Sequence, residues 1–341
     1  MPRHRIALVG LGMAVAPHAK SLLDLPDRVE VVWAMSPTAA RRHAFASRFA
    51  FPVTDSLGPI LADRGIDAVA VLTPPNTHLG IAAELARAGK HVLLEKPLDV
   101  STARAEELVA ACGAAGVRLG VVLQHRFKPA AERLTAILGG GGLGDIVNCS
   151  TTIRLWRPQS YYDEPGRGTK ARDGGGVLLT QGIHTLDLML SLAGRIVEAS
   201  GYARTTPVHR MQTEDLVCAA VRFANGAVGV IDATTTAYPG GPERIELIGT
   251  GGTASLIGTA LDVHYADGRR EQIAADASPG GTGADPMAFP HDYHLGVWRD
   301  FLDALDQGRP PRVSGADALA VHRLIDALLE AGSNGGKVAV R

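Results

Sequence analysis

Between residues 5 and 123, short apolar runs alternate with amphipathic stretches, and this alternation leaves few folds open to the chain. The runs are Ile6–Val9, Glu30–Ala34, Ala68–Leu72, His91–Leu94 and Arg118–Leu123, each four to six residues long and rich in Val and Leu. Hydrophobicity that is continuous rather than alternating marks strands covered on both faces, as in a parallel sheet. Helical segments fall between them near 14–24, 38–48, 77–88 and 101–114, the last starting at Ser101, a good N-cap residue, with Glu106 and Glu107 behind it. Strand and helix in strict alternation predict a doubly wound parallel sheet over residues 1–123.

The pattern changes at about residue 124. A helix at 128–138 leads into a glycine cluster, and strand-like segments follow at 146–156, 197–205, 214–224, 227–237, 243–249 and 253–265. Compact turn signals link several of them: Ala224-Asn225-Gly226, Gly251-Gly252 and Asp267-Gly268. One helix, roughly 182–193, interrupts the strands, and two more at 291–307 and 315–331 close the chain. Residues 124–341 therefore read as a second, α+β domain with a large, mostly antiparallel open sheet. The Pro/Gly-rich stretch Ser278–Pro290 reads as a surface loop. Nine of the 40 glycines lie in residues 1–123, so the excess belongs to the hairpins of the second half.

Charge and cysteine usage narrow the function. Lys plus Arg is 34 and Asp plus Glu is 35, a net charge of −1, which excludes a nucleic-acid binder that works by bulk charge. No run of 18 apolar residues marks a membrane span. Cys112, Cys149 and Cys218 are far apart and form no C-x-x-C, as expected of unpaired thiols in a reducing cytoplasm. The N-terminus imitates a signal peptide, with basic residues, apolar Ile6–Ala16 and Ala14-Val15-Ala16. Cleavage there would remove the first strand of a βαβ unit, so a cytoplasmic protein is expected.

Gly10-Leu11-Gly12 follows the first strand and opens the first helix. The first glycine permits the tight turn, the second lets backbone approach a pyrophosphate, and the helix N-terminus supplies N–H donors. The third fingerprint position is Val15 rather than Gly or Ala, which sets the helix slightly off its strand. An acidic residue ordinarily ends the second strand to bind the ribose 2′-OH. Here the chain reads Ala34-Met35-Ser36-Pro37-Thr38 with Arg41-Arg42 behind. Without a carboxylate to repel it, a 2′-phosphate can meet Ser36, Thr38 and Arg41 or Arg42, so NADP(H) is expected over NAD(H). The fifth strand ends in Glu95-Lys96-Pro97, which aims a lysine into the crevice beyond the strand ends.

These pieces, with Thr73-Pro74-Pro75 and His78, His125-Arg126-Phe127 with Pro129, and Gly174-Gly175-Gly176 ahead of Gly182-Ile183-His184-Thr185-Leu186-Asp187, resemble the Gfo/Idh/MocA oxidoreductase family over nearly the whole chain. The resemblance implies a Rossmann domain, an α/β domain whose open sheet often mediates oligomers (a homodimer or homotetramer), and hydride transfer between NAD(P) and a carbinol of a sugar, sugar acid, inositol or related cyclic polyol. It makes Lys96 and His184 the catalytic pair, with His184 the general acid/base. Imidazole titrates near neutrality, and a lysine desolvated against a cofactor has its pKa lowered. Cofactor contacts are expected at Gly10, Leu11, Gly12, Met13, Ala14, Ser36, Thr38, Arg41, Thr73, Pro74, His78, Glu95, Lys96 and Gln124.

One position departs from the family pattern. Four residues before the histidine many members carry an Asp, and this chain has Thr180 followed by Gln181. Threonine carries no charge at pH 7, but Thr180 and Gln181 can bind a substrate hydroxyl. Substrate contacts are expected at Lys96, Arg126, Arg157, Arg167, Lys170, Thr180, Gln181 and His184. The cations suggest a carboxylate or phosphate, and Trp156, Tyr161 and Tyr162 offer rings to stack on a sugar. Asp187, one turn past His184, either orients that ring or serves another contact. His291 and His294 have a two-ligand spacing with no third ligand in sequence, so no metal is expected, and His294 reads as a helix-start residue near the pocket mouth. The alternatives are a cofactor-binding regulator without activity and an enzyme of the same fold acting on a non-sugar such as a dihydrodiol or a tetrapyrrole.

Overall fold

A computed structural model describes residues 3–276 and 290–341. The Ser278–Pro290 loop expectation falls almost wholly outside the described residues. Two compact units are present: Met1–Gln124 with Pro290–Leu319, and His125–Phe289 with Ala320–Arg341. The segment 290–319, which a linear division at 123/124 leaves in the second half, belongs with the first.

The first unit holds six parallel strands: β1 His4–Val9, β2 Val29–Met35, β3 Val53–Thr54, β4 Ala68–Val71, β5 His91–Glu95 and β6 Leu119–Val122. Their order is β3-β2-β1-β4-β5-β6, so the strand order reverses beside β1, where doubly wound sheets bind ligands. Two-residue β3 has no apolar run and escaped the sequence reading. Ile6 to Val9 are fully buried, as a central strand with helices on both faces requires. Ser101 caps the helix Thr102–Ala114, its side chain accepting the Arg104 N–H. The helix Asp292–Gln307 packs against the helix Val15–Leu23 and β6.

The second unit holds nine strands: β7 Ile146–Arg154, β8 Ile196–Arg204, β9 Leu216–Phe223, β10 Val228–Thr234, β11 Arg244–Gly249, β12 Gly252–Ile257, β13 Ala260–Tyr265, β14 Arg270–Ile273 and β15 Val338–Ala339. Their order is β14-β13-β12-β11-β7-β10-β9-β8-β15. Every neighbouring pair is antiparallel except β7 with β10. The segment 253–265, read as one strand-like stretch, is a hairpin, because Gly258 takes φ +61° and turns the chain. The helix Ile183–Ala193 lies against β7 and β11 on the covered face. Residues 170–193 are long and apolar enough to cross a membrane by length and composition, but 72% of their most apolar window is buried, as in a core helix.

Candidate active site

In the first unit, Gly10 has φ +105°, and a Cβ there would lie 2.7 Å from the Leu72 carbonyl carbon and oxygen. Only glycine fits this turn. A Cβ on Gly12 would meet nothing within 4 Å, so the space over that peptide is open to a ligand group. Leu11 and Val15 point into the core, whereas Met13 is exposed. No side chain caps the helix Val15–Leu23; the Val15 N–H donates to the Gly12 carbonyl at 3.3 Å, and the helix N-terminus otherwise offers its N–H groups to an anion. These features fit a dinucleotide pyrophosphate.

At the end of β2, Ser36 is buried and its Oγ accepts the Thr38 N–H at 3.3 Å. Arg42 donates one Nη1 hydrogen bond to the Ser36 carbonyl at 2.7 Å, while Arg41 is exposed. Beyond β4, Thr73 and Thr77 bond through their hydroxyls at 2.7 Å. His78 differs from a surface cofactor ligand. It is fully buried, with Nδ1 3.0 Å from the Pro97 carbonyl and Nε2 2.8 Å from the Thr73 carbonyl. It therefore ties the loop after β4 to the loop after β5, and burial lowers its pKa. Lys96 follows β5 and is half-buried. Gln124 is buried, and its Oε1 has no hydrogen-bond partner among the described residues.

In the second unit, a glycine turn, Gly174 at φ +77° through Gly176, leads into a π-helical turn at Leu178–Gly182 and then the helix Ile183–Ala193. A Cβ on Gly176 would stand 1.8 Å from the Glu214 carbonyl oxygen, so this approach requires glycine. The Glu214 carboxylate accepts the N–H groups of Gly176 at 3.0 Å and Leu178 at 3.1 Å, and burial raises its pKa. His184 sits in the first turn after the π segment, a kind of bulge common at functional sites, with its ring centroid 5.0 Å from that of His125. His125, quoted only as part of a motif, and Glu214, which no motif signals, are the site residues the sequence reading missed here.

Several expected substrate ligands are already engaged. Arg126 makes a bidentate pair with fully buried Asp187, at 2.8 and 2.6 Å, so Asp187 serves the arginine. Thr180 donates to the Gly176 carbonyl at 2.7 Å and bonds Gln181 Oε1. Arg167 pairs with Glu164 at 2.6 Å and lies 4.1 Å over the Tyr161 ring. Arg157 is buried, its guanidinium 5.8 Å from the same ring. Tyr162 is core rather than a stacking platform, its hydroxyl 3.0 Å from Thr235 Oγ1. Lys170 is exposed. His294 is buried against His18 rather than placed at a mouth.

The chain matches two family models and resembles several known dehydrogenases. A profile described as "Oxidoreductase family, NAD-binding Rossmann fold" matches residues 4–123, and one described as "GFO/IDH/MocA C-terminal domain" matches 131–255. The chain is 27% identical to the myo-inositol 2-dehydrogenase of Thermotoga maritima, covering 92% of this chain and 91% of that one. The WlbA dehydrogenase from Bordetella pertussis, solved with NADH and UDP-GlcNAcA, superposes with a TM-score of 0.84 at 28% identity, over 100% of this chain and 99% of that one. Levoglucosan dehydrogenase shares the fold, with a TM-score of 0.89 at 24% identity over 100% of both chains. The glycine turn beside β1, the lysine after β5 and the histidine behind the π turn thus stand in a chain that belongs to the Gfo/Idh/MocA family of NAD-binding oxidoreductases.

Proposed function

We propose that the protein is a dehydrogenase of a sugar, sugar acid, inositol or related cyclic polyol, with His184 as general acid/base and Lys96 as the cation that stabilises the alkoxide. The carrying observation is His184 itself, an imidazole presented in the first helical turn behind a glycine approach and a π segment. The myo-inositol dehydrogenase and the sugar-nucleotide complex of WlbA support the substrate class.

The bound nicotinamide would take the hydride from the carbinol carbon. The carbinol O–H must lose its proton in the same event, and imidazole accepts one near neutral pH. An ammonium group stabilises the negative charge that develops on the oxygen. Thr180, which bonds inside its own turn, supplies no carboxylate to this pair.

NADP(H) is preferred in this reading, because the end of β2 carries no carboxylate and Arg41 is exposed beside it. Replacing Arg41 with Ala should weaken NADPH binding about tenfold and leave NADH binding unchanged. Equal or tighter binding of NADH by the unaltered protein refutes the preference. The three cysteines are free thiols, which supports a reducing cytoplasm as the working compartment.

The functional test is a panel of sugars, uronates, inositols and ketosugars, screened with both cofactors at 340 nm. Turnover of a cyclic polyol is expected. Higher kcat/KM for uronates than for neutral sugars would assign the arginine-rich segment to an anionic group, and equal values would remove that role. Bound cofactor without turnover would instead indicate a regulator on the same fold, and turnover confined to dihydrodiols a non-sugar enzyme.

A further inference from the structure

Glu95, at the end of β5, is gripped on both oxygens. Its Oε1 lies 3.0 Å from His18 Nε2, and its Oε2 accepts the backbone N–H of Lys96 at 3.0 Å. His18 is fully buried and receives the Trp298 indole N–H on Nδ1 at 3.1 Å. Indole is a donor only, so Nδ1 is the accepting nitrogen. The ring proton therefore sits on Nε2 and points at Glu95. His294 packs edge-on against His18 with centroids 5.0 Å apart, and its Nε2 is 4.0 Å from Glu95 Oε1. Burial pushes the His294 pKa down to about 3, so that ring is neutral. Burial works against a charge on Glu95, but the His18 hydrogen bond, with Lys96 nearby, outweighs it and holds the carboxyl below its ordinary range.

We propose that Trp298, His18 and Glu95 form a positioning chain for Lys96. Trp298 selects the His18 tautomer, His18 fixes the Glu95 carboxylate, and Glu95 fixes the main chain from which the lysine side chain is presented. This rests on the role given to Lys96 above. Trp298 is far away in sequence, on the helix Asp292–Gln307, and no motif marks it.

The same cluster has the look of a metal site, since ligand atoms of His18, Glu95 and His294 lie within 4.8 Å of one another. The Trp298 hydrogen bond argues against that. A metal-bound histidine ordinarily donates its other ring N–H. A cation on His18 Nε2 would leave Nδ1 accepting from indole, which requires an imidazolate.

The test uses the full-length protein and the substrate found with the panel. Variants His18→Leu, His18→Gln, Trp298→Phe and Lys96→Met are compared for kcat, KM, reduced-cofactor affinity by nicotinamide fluorescence, and metal content by mass spectrometry. His18→Leu should lose roughly 10- to 100-fold in kcat, as expected when a reacting group is misplaced. Its KM and cofactor affinity should stay within about threefold. His18→Gln should recover much of the loss, because its amide donates to Glu95 and accepts from Trp298. Trp298→Phe should fall between them. If His18→Leu does not fold, Trp298→Phe decides: lower kcat with unchanged cofactor affinity supports the chain, and unchanged kcat overturns it. Wild-type kcat in His18→Leu beside an inactive Lys96→Met overturns the chain alone, as does equal impairment in Leu and Gln. One equivalent of metal lost in His18→Leu also overturns it. Wild-type turnover by Lys96→Met overturns both the lysine's role and the chain built on it.

Discussion

Gly176 and Arg126 show what single residues do in the second unit. A methyl group on Gly176 has no room against the Glu214 carbonyl oxygen, 1.8 Å from its ideal position. Gly176→Ala should cost about 1–3 kcal/mol in urea unfolding, the usual range for overpacking, and an unchanged midpoint would refute the steric assignment. Sequence reading placed Arg126 on the substrate, because a cation beside a catalytic motif invites that role. Its partner, Asp187, is 61 positions away in sequence and no local pattern announces the pairing. Arg126→Met strands a buried carboxylate and should cost about 3–5 kcal/mol, with partial recovery when Asp187→Leu is added. A raised KM at unchanged stability would return Arg126 to the substrate. His184 and Lys96 stand in local motifs that single them out as candidates, whereas His18 and Trp298 meet only through tertiary packing.

Secondary elements follow the same division. Long, strongly patterned ones such as β1 and the helix Thr102–Ala114 stand where hydrophobic period and capping put them. Two-residue β3 and the π turn at Leu178–Gly182 carry no periodic signal of their own. The helix Asp292–Gln307 was legible, but its membership of the first unit was not, since that depends on packing against the helix Val15–Leu23. Its buried His294 sets a pH dependence. The ring's pKa falls from 6.5 to about 3 on folding, so the unfolded chain binds a proton first as pH drops. The stability is present above about pH 6.5 and is lost on acidification, at up to about 1.4 kcal/mol per pH unit for one site. His78, also lowered by burial, acts in the same direction, and Glu95 acts at lower pH. Between pH 6.5 and 5, His294→Phe should show a shallower fall in unfolding free energy than the wild type. An identical slope would contradict a neutral buried His294.

For the whole molecule, the open face of the nine-stranded sheet is the feature left to account for. Tyr202, Val228, Val230 and Ile248 are exposed there among ion pairs such as Arg222–Glu198 and Arg154–Asp232, Val228 and Val230 alternating with buried Gly229 and Ile231. We propose that this mixed face of apolar and ion-paired side chains meets an identical partner, in a homodimer or homotetramer. Val230→Asp should lower the mass seen by light scattering, and a wild-type protein that runs as a monomer would refute the assembly. The doubly wound first half and the mostly antiparallel second half are readable because one has continuous apolar strands separated by helices and the other strand-like segments joined by compact turns such as Ala224-Asn225-Gly226. The substrate was not, because several of the candidate polar groups turn out to be engaged within the chain. The claim that matters most is that Lys96 and His184 carry the chemistry. It is tested by turnover at 340 nm in Lys96→Met and His184→Ala, with cofactor affinity measured in parallel. Loss of about 10²–10⁴-fold in kcat at unchanged cofactor affinity is expected, and wild-type turnover in either variant contradicts the assignment.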